Sequence, residues 1–168
     1  MASLEEIRNG RIEKMNLLEK EGINPYPARI KQTHTLLQLR THFEELENKE
    51  EEVSVVGRIM SVRGQGALVF VDLFDGTGKI QLLCKADQHI LYKDKNIDDA
   101  FSLFKEAIDI GDFIEVSGTV FVSKRGEETV LVKQWGMVAK SLRPIPDEWY
   151  GLKDEDERYR KRYLDILL

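Results

Sequence analysis

The chain of 168 residues has little cysteine and no long apolar run. A single cysteine, Cys84, excludes an internal disulfide, and its place in an apolar run predicts a small core side chain. No apolar run approaches the roughly 18 to 20 residues that span a bilayer. The N-terminal sequence MASLEEIRNG lacks the apolar core of a secretory signal. These absences predict a cytoplasmic protein without a membrane segment.

Sequence motifs of catalysis are missing as well. The chain has no Gly-x-x-x-x-Gly-Lys-Ser/Thr phosphate loop, no HExxH and no CxxC pair. The three histidines, His34, His42 and His89, are scattered without metal-ligand spacing. Asp72 and Asp75 are explained by a strand end and a turn rather than by acid-base catalysis. The sequence therefore predicts no catalytic residue and no metal site in this chain.

Acidic and basic residues are distributed unevenly along the chain. The formal net charge of −5 argues against a protein that coats duplex DNA, because that affinity comes from neutralising phosphates. Residues 44–52 hold six glutamates against one lysine, whereas residues 53–85 hold four basic residues against two aspartates. The segment 53–85 is thus locally positive, and local charge decides what a small surface attracts.

Helical patterns precede a segment rich in strands. Ser3 and Glu6 form a capping box that predicts a surface helix as far as about Gly22. Residues 24–27, Asn-Pro-Tyr-Pro, predict a stiff connector, and residues 35–46 resume a helical pattern. The basic residues of the first helix either face solvent or contact an RNA backbone, and the sequence leaves both open. They are Arg8, Arg11, Lys14 and Lys20.

Five strands with glycine-bearing turns follow. We predict them at about 53–63, 67–74, 78–84, 111–124 and 128–139, with hairpin turns at 64–66, 75–78 and 125–127. Between the third and fourth strands, residues 98–108 carry a helical apolar stripe, and Gly57 and Gly118 interrupt strands where a barrel bends. This order predicts a mainly β protein, a five-stranded OB-fold Greek-key barrel whose end is plugged by the helix and which N-terminal helices precede. An SH3-like barrel, the competitor, does not normally contain so long a helical excursion.

The predicted barrel divides the chain into three regions. Residues 1–48 form a helical extension with the Asn-Pro-Tyr-Pro connector, residues 49–142 the OB-fold, and residues 143–168 a linker that starts a further domain. The last residues, RYRKRYLDILL, begin a new apolar and basic pattern. We therefore expect the chain to be a fragment of a larger protein.

The second strand presents an aromatic ring on a polar face. Alternation places Val69, Val71 and Leu73 on one face, and places Phe70 and Asp72 on the other. An ionised Asp72 is costly to bury unpaired, so the face that carries Phe70 is expected to be partly solvated. An aromatic ring on a solvated sheet suits the stacking of a single-stranded base.

Three polar residues are expected near this ring. Gln81 points outward from the third strand, Arg63 ends the first strand, and Glu127 lies in the turn before the fifth. A guanidinium, an amide and a carboxylate beside an aromatic ring are able to hold and identify a splayed base. Taken singly, each also has an ordinary explanation: a solvated strand end, a polar face residue or a turn charge.

Three motifs resemble the class IIb aminoacyl-tRNA synthetases, the group of lysyl, aspartyl and asparaginyl enzymes. GRIMSVRGQGALVFVDLFDGTGKIQ is similar to their anticodon-binding OB-fold. GINPYPARI before it and LRPIPDEWYGLKDEDERYRKRYLDILL after it look like bacterial-type lysyl-tRNA synthetases. The resemblance covers essentially the whole chain. A general single-stranded nucleic-acid module and an aspartyl or asparaginyl relative are the alternatives.

The resemblance implies a binding site and a partner. In the lysyl family an aromatic ring stacks the middle uridine of the lysine anticodon, and polar neighbours bind it. By position, the ring corresponds to Phe70, and Arg63, Gln81 and Glu127 correspond to residues that read or hold that uridine. The expected partner is lysine tRNA. The full-length enzyme is expected to be a homodimer that uses ATP and magnesium in a catalytic domain absent from this chain, so the chain alone is not expected to aminoacylate.

Overall fold

The computed structural model of the protein describes residues 3–88, 90–93, 95, 97–145 and 155–165. The described helices are α1 Leu4–Lys20, α2 Leu36–Thr41, α3 Phe43–Lys49, α4 Ala100–Ala107, α5 Glu155–Arg160 and α6 Arg162–Asp165. The strands are β1 Glu52–Gln65, β2 Leu68–Phe74, β3 Lys79–Lys85, β4 Leu91–Tyr92, β5 Phe113–Val122 and β6 Glu128–Ala139. Outside the described residues lie His89 and, in the predicted linker, residues 146–154 and 166–168. No helix in the described part of the chain is long and apolar enough to cross a membrane.

Five of the strands close into a barrel. The sheet order is β3-β2-β1-β5-β6, with antiparallel neighbours, and a parallel pairing of β3 with β6 closes the ring. This is the predicted OB-fold, with the helix between the third and fourth barrel strands. The two-residue strand β4 was not predicted from the sequence. It pairs in parallel with Gln134 and Trp135 and adds a short edge to β6.

The helix α4 packs its apolar face into the core that it shares with the barrel strands, as its apolar stripe predicted. Its N-cap Asp99 accepts a hydrogen bond from the Ser102 backbone N–H at 2.8 Å. Phe104 is fully buried, and its ring meets Trp135 edge-on with centroids 5.1 Å apart. The Trp135 indole N–H donates to the Ala100 carbonyl at 3.0 Å. Packing and a satisfied polar group thus hold α4 against β6.

The N-terminal helices share one apolar core with the barrel. The capping box at the start of α1 is present as predicted, since the Ser3 N–H donates to the Glu6 carboxylate at 2.7 Å. Apolar residues from α1, α2 and α3 are buried together with those of the strands; they include Leu18, Leu36, Leu39, Phe43 and Leu46. The placement of the domain boundaries at residues 48 and 142 remains a prediction.

The structure corrects two details of the sequence interpretation. The first hairpin turn is not residues 64–66, because Gln65 pairs with Leu68 and only Gly66 and Ala67 connect the strands. Gly66 takes a φ of +62°, which a glycine adopts without strain. The helix predicted over 35–46 is broken at His42, since α2 packs against β3 while α3 packs against β5.

Gly118 and Cys84 lie where the sequence predicted them. Gly118 sits at a β-bulge, and a Cβ there would lie 1.9 Å from the Leu131 carbonyl oxygen, so the strands approach too closely for a side chain. Cys84 is fully buried in the barrel core. Burial raises the pKa of its thiol to about 12, which makes Cys84 an unreactive core residue.

Replacing Gly10 by Ala should raise the free energy of unfolding by about 0.5 to 1 kcal/mol, because glycine is entropically costly inside a helix. Gly10 lies within α1, and no heavy atom would lie within 4 Å of an added Cβ. Chemical denaturation measures the change. The matched control is Gly66→Ala, which is also unobstructed but has a positive φ, and it should be destabilising. A loss of stability in Gly10→Ala would contradict this prediction.

Candidate nucleic-acid interface

Two rows of side chains cross the outer face of β1, β2, β3 and β6. Because directly opposed residues project from the same face of a sheet, the strand register defines both rows. The Gln81 row consists of Ser61, Asp72, Gln81 and Thr129. The Phe70 row, one step further along the strands, consists of Arg63, Phe70, Leu83 and Leu131. The barrel therefore places a polar row directly beside a row with an aromatic ring at its centre.

Phe70 lies on the outside of the barrel, on the face the alternation predicted. Val69, Val71 and Leu73 are buried in the core, whereas Phe70 and Asp72 are half-buried on the opposite face. Leu83, beside Phe70, is 6 % exposed on the outer face, and Leu131 is half-buried. The ring is thus the partly exposed centre of an apolar strip on the outer sheet surface.

The three polar residues named from the sequence form one hydrogen-bonded chain. Arg63 Nη2 lies 3.4 Å from Gln81 Oε1, and Gln81 Nε2 donates to Glu127 Oε2 at 2.7 Å. Gln81 Nε2 also donates to the Thr129 hydroxyl at 3.1 Å. The structure therefore brings Arg63, Gln81 and Glu127 together beside Phe70.

Asp72 and Thr129 also belong to this network, although neither was predicted from the sequence as a site residue. Asp72 accepts from Arg63 Nη2 at 3.1 Å and from the Ser61 hydroxyl. The alternation already placed Asp72 on the face of Phe70, which was the available signal, although its partners lie on other strands. The contact of Thr129 with Gln81 depends on the parallel closure of β3 against β6, for which the sequence offers no local signal.

A groove of about 590 Å³ opens beside the Gln81 row. Its lining comprises Arg40, Met60, Ser61, Asp72, Lys79, Ile80, Gln81, Gly126, Glu127 and Glu128. Arg40 reaches this groove from α2, and its Nε lies 2.9 Å from Glu128 Oε2. No pattern in the sequence indicated that α2 borders the candidate site.

The charges of the site favour a base over a phosphate. Arg63 carries one positive charge, while Asp72 and Glu127 carry two negative charges within the same hydrogen-bonded chain. A phosphate needs a net positive environment, whereas the edge of a base needs paired donors and acceptors. Among the described residues, no group of three or more His, Cys, Asp or Glu side chains could hold a metal ion.

The basic residues of α1 serve different purposes. Arg11 is 8 % exposed and donates to the backbone carbonyls of Ile110, Ser141 and Arg143. Lys14 pairs with Asp109 at 2.7 Å. These two side chains therefore anchor α1 to the barrel, and Arg8 and Lys20 are the exposed pair to which the RNA-contact alternative still applies.

The fold and the two rows define a class: an OB-fold barrel that carries an aromatic ring beside hydrogen-bond donors and acceptors on its outer face. The tRNA anticodon family model, described as an OB-fold nucleic acid binding domain, matches residues 53–145. The chain belongs to this family of OB-fold nucleic acid binding domains.

Similar proteins include three curated lysine–tRNA ligases. That of Carboxydothermus hydrogenoformans is 41% identical over 165 residues, covering 98% of this chain and 32% of the relative. That of Thermosipho africanus is 41% identical over 168 residues, with the same coverage. That of Nostoc punctiforme is 43% identical over 178 residues, covering 99% of this chain and 30% of the relative. The chain thus spans about a third of the length of these relatives.

Proposed function

We propose that this chain binds the anticodon loop of lysine tRNA as the N-terminal domain of a lysyl-tRNA synthetase. The observation that carries the proposal is the adjacency of the two rows, with the Phe70 ring beside the connected side chains of Arg63, Gln81 and Glu127. Family membership and the similarity to lysine–tRNA ligases over 98% of the chain support it.

In this proposal the middle uracil of the anticodon stacks on Phe70 with its edge toward the Gln81 row. Uracil offers two carbonyl acceptors and one N–H donor. Arg63 is a donor only and Gln81 supplies both an acceptor and donors, so the pair matches that edge. Glu127 holds the Gln81 amide from the other side. Stacking provides affinity for any base, and the polar edge provides the preference for uracil.

For the full-length protein we propose the ligation of L-lysine to its tRNA in translation, in the cytoplasm and as a homodimer. ATP and magnesium would act in the catalytic part of such an enzyme, outside this chain, which spans about a third of the length of the relatives. The chain described here would contribute recognition of the tRNA and no step of the chemistry.

Sequence-general binding of single strands is the second candidate function, because Leu83 and Leu131 extend the apolar strip around Phe70. A titration of the chain at fixed salt against the lysine anticodon stem-loop, and against the same stem-loop with cytidine as its middle base, separates the two. We expect the uridine stem-loop to bind at least about tenfold more tightly, because a good set of base-edge contacts discriminates to this degree. The aspartate anticodon has the same middle uridine, so an aspartate stem-loop measures instead whether the flanking anticodon bases are also read. Equal affinity for the uridine and cytidine stem-loops would favour the sequence-general function instead.

A further inference from the structure

An acidic side chain stands in the middle of the proposed RNA-binding face. Asp72 is opposed by Ser61 on β1 and by Gln81 on β3, and its side chain is 37 % exposed. A carboxylate at this position repels phosphates, so the site would bind RNA more tightly in general without it. Its contacts indicate what it does instead.

Asp72 on β2 holds the guanidinium of Arg63 on β1 through an ion pair. Nη2 of Arg63 lies 3.1 Å from Oδ1 and 3.4 Å from Oδ2 of Asp72, and the Ser61 hydroxyl donates to Oδ2. The Arg63 side chain is 58 % exposed, so without this partner its long stem would be free to extend into solvent. An ion pair as exposed as this contributes little to folding stability. What it does is fix the position of the Arg63 guanidinium on the sheet.

The position of Arg63 fixes the polarity of the Gln81 amide. A guanidinium only donates, so the Gln81 atom that faces Arg63 is the carbonyl oxygen Oε1. The Glu127 carboxylate only accepts, so the Gln81 atom that faces Glu127 is the nitrogen Nε2. The amide is therefore held from both ends in one of its two orientations.

That orientation bears on the choice between uracil and cytosine. Ring nitrogen N3 carries a hydrogen in uracil and a lone pair in cytosine, so an acceptor at Oε1 suits uracil and a donor in its place suits cytosine. We propose that Asp72 is a positioning residue for base selection, which acts through Arg63 to hold the Gln81 amide in the orientation that prefers uracil. This inference rests on the proposed function, the reading of a uridine at Phe70.

The test is a pair of titrations with each variant, against the lysine anticodon stem-loop and against the same stem-loop with cytidine as its middle base. The measured quantity is the dissociation constant of the cytidine stem-loop divided by that of the uridine stem-loop, at one salt concentration. In Asp72→Asn the ratio should fall about threefold to tenfold, which lies in the lower part of the range of coupling between contacting residues. The cytidine stem-loop should bind more tightly than it binds the wild type, because one negative charge is removed.

Asp87→Asn is the matched control for charge. Asp87 lies exposed in the 3₁₀ turn Ala86–Gln88 after β3 and is not part of either row. This variant loses the same charge, so it should change both affinities together and leave their ratio at the wild-type value. A fall in the ratio as large as that of Asp72→Asn would overturn the inference, because it would assign the effect to charge alone.

A double variant distinguishes positioning from general damage to the site. If Asp72 acts through Arg63, then Asp72→Asn added to Arg63→Ala should leave the ratio of Arg63→Ala unchanged. A further fall in the double variant, or an unchanged ratio in the single Asp72→Asn variant, would overturn the inference while the proposed function stands. Wild-type protein that binds both stem-loops equally would overturn the proposed function and this inference with it. Thermal unfolding of each variant verifies that the compared proteins are folded.

Discussion

Replacing Lys140 by Ala is expected to lower the free energy of unfolding by about 3 to 5 kcal/mol, the cost of removing one partner from a buried ion pair. The Lys140 side chain is fully buried, and its Nζ lies 2.7 Å from Oδ2 of Asp112, which is fully buried as well. The same Nζ lies 2.6 Å from Asp109. Without the ammonium group, Asp112 remains as a buried charge without a cation, which is the physical source of the loss.

The cluster around Lys140 joins distant parts of the chain. Asp109 also binds Lys14 of α1 at 2.7 Å, and the Tyr26 hydroxyl donates to the Lys140 carbonyl at 3.0 Å. Burial acts to raise the pKa of Asp109, but the hydrogen bonds and charges of Lys14 and Lys140 outweigh it and lower that pKa. Because this pKa is lowered, the ionised Asp109 carboxylate stabilises the fold at pH values above the ordinary pKa of an aspartate. This stabilisation is lost as the pH falls through the pKa of Asp109 in the folded state.

Urea unfolding of the wild type and of Lys140→Ala at neutral pH measures the predicted loss. The control variant is Lys49→Ala, which removes a lysine from an exposed pair with Glu45 and should leave stability close to the wild-type value. The double variant Lys140→Met with Asp112→Asn removes both charges and should recover part of the loss. Equal stability of Lys140→Ala and Lys49→Ala would show that the buried cluster does not hold α1 and the barrel together.

Replacing Phe70 by Ala should weaken binding of the lysine anticodon stem-loop by about 1 to 3 kcal/mol, the contribution of one stacked base, or about fivefold to 150-fold. Phe70 is half-buried on the outer face and is not part of the barrel core, so the variant should still fold. The loss should be similar for the uridine and cytidine stem-loops, because stacking does not read the base edge.

Two further variants test whether stacking is the cause. Phe70→Tyr keeps an aromatic ring and should bind nearly as well as the wild type. Phe70→Leu keeps apolar volume without a ring and should lose most of the affinity that Phe70→Ala loses. Fluorescence anisotropy with labelled stem-loops measures all three. Unchanged affinity in a folded Phe70→Ala variant would contradict the assignment of Phe70 as the stacking residue.

Much of the barrel could be predicted from local patterns. Period-two alternation placed Phe70 and Asp72 outside and Val71 inside, because a strand sends successive side chains to opposite faces. The apolar stripe of α4 predicted a buried helix face, since amphipathic spacing directs one side of a helix toward the core. The break at His42 could not be predicted, because it follows from two different packing partners and not from a helix-breaking residue.

The buried charged residues could not be predicted from the sequence. Lysine is mostly exposed, so nothing local marked Lys140 as a fully buried residue. Arg11 looked like part of a basic helix face, yet it donates to three carbonyls between α1 and the barrel. In both cases the partners come from distant segments, so their burial became evident only when those segments were packed together.

The sequence by itself determined which face each side chain of the site occupies, because facing depends only on the local period of a strand. It also determined the family, through motifs that span nearly the whole chain. Only the tertiary structure decided which of those side chains touch. Gln81 and Glu127 are 46 residues apart, and they meet because β3 closes in parallel against β6. That register is set by the closure of the whole barrel, which no local segment encodes.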